Sequence, residues 1–65
     1  MKANKFKLNT DVKSNGKNIH NSISKLDGIN SVRLDSFANT VTVNYDDSKV
    51  SSSEIESILR QKNYL

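Results

Sequence analysis

The sequence predicts an α+β fold of order β-α-β-β-α, an antiparallel sheet covered on one face by two helices. Three observations predict it. Three short segments alternate polar and apolar residues, two segments repeat apolar residues at helical spacing, and turn-forming residues separate them. An antiparallel sheet with one solvated face alternates in this way. A helix with a single apolar stripe needs such a sheet to bury it.

Lys5-Phe6-Lys7-Leu8-Asn9 alternates and reads as the first strand. Thr10 to Asn15 is polar, without strand alternation, and reads as a loop. From Gly16 onward, Ile19, Ile23 and Leu26 fall on one helical stripe. Ser14 or Asn15 is expected to cap that helix, and Gly28 to end it in a left-handed conformation. Ile29 to Asp35 is the second strand, Ser36 to Asn39 a turn, and Thr40 to Tyr45 the third strand. Asp46 to Lys49 is a loop. Ser51 and Glu54 then have capping-box spacing, with Val50 and Ile55 placed for a hydrophobic staple. Ile55, Ile58 and Leu59 form the buried stripe of the second helix, and Asn63 ends it.

The simplest assembly is the ferredoxin-like sandwich, βαββα with a fourth strand truncated or absent. The expected core is Phe6, Leu8, Ile19, Ile23, Leu26, Ile29, Val32, Leu34, Val41, Val43, Val50, Ile55, Ile58 and Leu59. Lys5, Lys7, Arg33, Thr42 and Asn44 face water from the other side of the sheet, and Phe37 folds back over the sheet edge.

Composition narrows the function. Sixty-five residues leave room for one small domain, 1–65. There is no cysteine, which excludes disulfides, thiolate metal sites and a cysteine nucleophile, and there is only one histidine. No apolar run is long enough to span a membrane, and no secretory signal opens the chain, so a cytoplasmic location is the expectation. The net charge is +3, unevenly spread. Residues 1–33 hold Lys2, Lys5, Lys7, Lys13, Lys17, Lys25 and Arg33 against Asp11 and Asp27, while residues 34–65 are net acidic. No exposed strand position is aromatic, so a base-stacking RNA surface is not expected. Asp46-Asp47 reads as a solvated turn and Glu54/Glu56 point apart on a helix. With one exposed histidine no nucleophile–base arrangement can be built, and the chain reads as a non-enzyme without a cofactor.

The run Ile19-x3-Ile23-x2-Leu26-Asp27-Gly28-Ile29-x2-Val32-x-Leu34-Asp35 resembles the heavy-metal-associated domain of copper chaperones and metal-transporting ATPases. So do Val43-Asn44-Tyr45-Asp46, Val50-Ser51-x2-Glu54-Ile55-x2-Ile58 and Asn63-Tyr64. Asn39 and Asn63 stand where that family usually has glycine, and asparagine is the next best residue for a left-handed conformation. The family carries its chemistry in a Met-x-Cys-x-x-Cys loop between the first strand and first helix. Counting back from Leu26-Asp27-Gly28-Ile29 puts the methionine at Thr10 and the cysteines at Val12 and Asn15. All three are replaced. Cu(I) is a soft ion held by thiolates, and neither valine nor a carboxamide substitutes for one.

The resemblance implies protein contact as the remaining activity. Lys13, Lys17 and Lys25 match the face that docks family members onto an oppositely charged partner, here an acidic surface such as that of a metal-ATPase or related domain. Tyr64 matches the aromatic that in bacterial members packs near the metal loop. The alternative is a metal-handling protein that binds metal weakly through non-cysteine ligands, with His20 as the weak candidate. A short fourth strand leaves the first strand as a sheet edge. The expected state is a monomer that forms only a weak dimer through that edge.

Overall fold

The computed structural model describes residues 1–65. It contains β1 (Lys2–Lys7), α1 (Val12–Ser24), β2 (Ile29–Asp35), β3 (Thr40–Tyr45) and α2 (Ser52–Gln61). The strands form one antiparallel sheet of order β1-β3-β2, so β1 and β2 are its edges and there is no fourth strand. Alternation in β3 sorts its two faces. Val41, Val43 and Tyr45 join Ile19 and Ile23 of α1 and Ile55 and Leu59 of α2 in a single buried cluster. Lys5 and Arg33 flank Thr42 in one row across the open face, as the alternation predicts. Ile29 pairs with Tyr45 and Ser31 with Asn44, so Asn30 is the extra residue of a bulge in β2.

β2, β3 and α2 lie where the sequence places them, and β1 does not. Its ladder runs from Lys2 to Lys7 instead of Lys5 to Asn9. Lys2, Ala3 and Asn4 carry no apolar alternation, but Tyr45, Asn44 and Val43 of β3 offer them a pairing edge. The Tyr45 hydroxyl adds a 2.6 Å hydrogen bond to Asn4 Oδ1. Leu8 has already left the ladder. Its N–H donates to the Asn39 carbonyl at 2.9 Å and its side chain is buried.

The start of α1 is also displaced. The helix begins at Val12 with Asp11 as N-cap, so neither Ser14 nor Asn15 caps it and residues 12–15 are helical rather than loop. Gly16, which reads as a boundary, lies inside the helix on its inward stripe. A Cβ there would stand 3.3 Å from Leu34 Cδ1, so glycine lets α1 approach β2 closely. The far end differs as well. The helix ends at Ser24 with Lys25 as C-cap, and Gly28 takes φ +98° three residues later, in the turn to β2. A Cβ on Gly28 would meet Lys49 Cβ at 2.8 Å.

The core gains two members that alternation and stripe reading left out, Val12 and Tyr45. Phe6, Leu26, Ile29, Val32 and Leu34 are half-buried against it, and Ile58 is half-buried as well. Phe37 does not fold back. It is fully exposed on the β2–β3 turn, because the Asp35 carboxylate accepts from the N–H groups of Phe37 and Ala38 and turns the backbone outward.

The two ends of α2 are well formed. Ser51 accepts from the Glu54 N–H, and the Glu54 carboxylate accepts from the Ser51 N–H. Val50 and Ile55 are both buried, as a hydrophobic staple requires. At the other end Asn63 has φ +63°. Its N–H donates to the Arg60 carbonyl and the Tyr64 N–H to the Leu59 carbonyl, which is a Schellman motif.

Candidate functional site

Three segments meet at one end of the sandwich: residues 8–12 after β1, the turn before β3, and the chain after α2. Asn39 joins the first two. It sits at φ +53°, accepts the Leu8 N–H on its carbonyl, and accepts the Val12 N–H on Oδ1 at 3.3 Å. The Tyr64 carbonyl joins the third by accepting the Asn9 N–H at 2.8 Å. The Schellman motif of α2 aims Tyr64 there, half-buried against the core.

Within this frame the structure brings Thr10 and Asn15 together and sends Val12 elsewhere. Asn15 Nδ2 donates to Thr10 Oγ1 at 2.9 Å and to the Asp11 carbonyl at 3.1 Å. Asp11 accepts from the Lys13 N–H at 3.1 Å and from Ser14 Oγ at 3.0 Å. Val12 is only 3% exposed and belongs to the core cluster. The segment from Thr10 to Asn15 is closed by its own hydrogen bonds and by one apolar plug. Its donor set is a hydroxyl, a carboxamide and an aliphatic side chain. The first two are hard, neutral and already bonded to each other, and the third offers no ligand atom, so the set does not fit Cu(I).

The three lysines part company. Lys13 and Lys17 are exposed one turn apart on α1, with exposed His20 three residues further on, so the three share one face. Lys25 is exposed at the opposite end of the helix. Twelve residues of rise place it about 18 Å from Lys13 along the axis. Nowhere do three or more His, Cys, Asp or Glu side chains gather closely enough to hold a metal ion, His20 included. Asp46 and Asp47 face other partners. Asp46 Oδ1 accepts from Ser48 Oγ at 2.7 Å and from the Ser48 N–H at 3.0 Å, and Asp47 pairs with the N-terminal ammonium at 3.7 Å. The Ser48 hydroxyl, then the Ser48 N–H, hold the Asp46 carboxyl below its ordinary value.

Sequence reasoning missed Asp11 and Asn39 as the residues that shape this end. A signal for the first was present. Val12 precedes Ile19 by seven residues and so continues the α1 stripe backward, which makes Asp11 the natural cap. No local signal announces the Asn39 contact with Val12, because the two are 27 residues apart.

The heavy-metal-associated domain model matches residues 11–64. The chain belongs to that family, and with no cysteine in its sequence it lacks the Met-x-Cys-x-x-Cys motif. Among solved structures it is similar to the CopZ metallochaperone, with a TM-score of 0.88 and 20% identity over 97% of this chain and 96% of that one. It is also similar to oxidized MerP from Ralstonia metallidurans CH34, with a TM-score of 0.87 and 17% identity over 97% of this chain and 89% of that one. At such identities the likeness establishes the ferredoxin-like fold alone. No curated protein matches the sequence.

Proposed function

We propose that this chain is a heavy-metal-associated domain without a metal site, which acts as a non-enzymatic docking module for an acidic protein surface. One observation carries the reading. The segment that would hold the metal, Thr10 to Asn15 at the start of α1, is closed by the Thr10–Asn15 hydrogen bond and the buried Val12, while Lys13 and Lys17 stay exposed and outside every ion pair of the molecule. Chemistry for soft-metal transfer is gone, and the charged face through which the resembled family meets its partners remains. Lys25, at the far end of α1, contributes at most a peripheral contact.

Docking of this kind is transient and weakened by salt, since exposed charges are screened within about 10 Å at 0.1 M. The test uses acidic peptides selected from a displayed library on the immobilised full chain. Their affinity is expected to fall with salt and to fall about tenfold or more with Lys13→Glu and Lys17→Glu together. Binding indifferent to both salt and these reversals would rule the reading out.

A further inference from the structure

We propose that Phe37 is the apolar anchor of this docking end, and that its occupant is an acidic protein surface with an apolar pocket at its centre. The inference rests on the docking reading above. A single exposed aromatic is ordinary on a protein surface. Phe37 differs in how it is held. It is the one aromatic fully exposed to solvent, and the turn that carries it is fastened at both sides. Asp35 Oδ1 accepts from the Phe37 and Ala38 N–H groups at 2.9 and 3.2 Å. Asn39 then ties the turn to Leu8 and Val12. An aromatic side chain on a fixed backbone loses little conformational freedom when it enters a pocket, which is what an interface anchor requires.

Charge at the same end defines the partner. Lys7 lies opposite Thr40 in the sheet, Lys13 follows Val12, and Lys62 precedes the Asn63–Tyr64 turn. All three are exposed and none takes part in an ion pair. Asp11 and Asp35 lie at the same end and accept backbone hydrogen bonds without losing their charge, so the three lysines leave it a small positive excess. The result is an exposed aromatic at an end of the molecule that carries a small positive excess. This is the arrangement of an apolar interface centre with a charged rim, and it is complementary to a pocket edged by carboxylates.

The probe is the same displayed library, with Asp and Glu flanking randomised apolar positions, selected on the full chain. Peptides with a bulky apolar centre are expected, and Phe37→Ala should weaken them about tenfold. Phe37→Trp should restore most of that loss. Because the side chain touches nothing in the folded protein, Phe37→Ala should leave the unfolding temperature unchanged. Peptides that lose affinity with Lys13→Glu and Lys17→Glu but not with Phe37→Ala would overturn the anchor and leave the docking reading standing. Peptides indifferent to all these changes would overturn both, as would a library that yields no binder.

Discussion

α1 and α2 both begin with a polar side chain that accepts a backbone N–H, yet the two starts are tied to the molecule differently. The start of α2 is local. Ser51 and Glu54 satisfy each other's backbone, and Val50 and Ile55 clamp the entry within the same few residues. The start of α1 draws on distant parts of the chain. Val12 is held by Asn39 and the core, and the preceding Asn9 by the Tyr64 carbonyl. The difference shows that one helix start can be tied to its own neighbours and another to distant parts of the chain. At the start of α1 the chain supplies an apolar plug, a Thr–Asn hydrogen bond and a side chain from the neighbouring turn.

The largest effects should fall on the two plugs. Ile55→Ala removes a fully buried side chain and should cost about 3 kcal/mol. Val12→Ala removes two methyl groups from the other helix start and should cost about 2 kcal/mol. Denaturant unfolding measures both. A Val12→Ala cost within experimental error would mean that the α1 start contributes nothing to the core, and the comparison would break.

Caps come next. Ser51→Ala and Asp11→Ala should each cost about 1 kcal/mol, the usual penalty for losing an N-cap acceptor. The readout that separates them is amide exchange. Ser51→Ala should speed exchange only in the first turn of α2. Asp11→Ala should also loosen the Leu8 amide, because its acceptor Asn39 is shared with the α1 start.

The Thr10–Asn15 bond should have a smaller effect. A double-mutant cycle of Thr10→Val and Asn15→Ala is expected to give a coupling of about 0.5–1 kcal/mol. Additive costs would show that the two side chains do not meet in solution.

Acid should act on the approach to α2. Because the folded protein holds Asp46 below its ordinary value, its contribution is complete above the unfolded pKa and is lost as pH falls through the folded one. Asp46→Asn should therefore flatten the acid limb of the stability profile. An acid limb unchanged by that substitution would remove Asp46 from the account.

Legibility followed the same division. The capping box, the alternation of β2 and β3, and the left-handed Asn63 rest on residue chemistry within a few positions, the left-handed Asn39 on the family resemblance, and all appear in the structure. The early start of β1 rests on pairing with β3, and the early start of α1 on contacts with Asn39 and the core. Gly16 misled for a related reason. Glycine is a common boundary residue, but here it answers the closeness of Leu34 on another element. At the candidate site, the sequence showed that the thiolates were missing. It did not show that Thr10 and Asn15 would bond to each other, or that Phe37 would stand clear of the surface.

In the function proposed above, the start of α1 is closed to metal by its own residues. A competition against a Cu(I) chelator tests it most directly, run on the natural chain and on a Val12→Cys, Asn15→Cys double variant. The natural chain should retain no Cu(I), and the variant should bind one equivalent tightly once the thiol at position 12 leaves the core that holds Val12. Retention of one equivalent by the natural chain with a Kd at or below about 1 pM would contradict it.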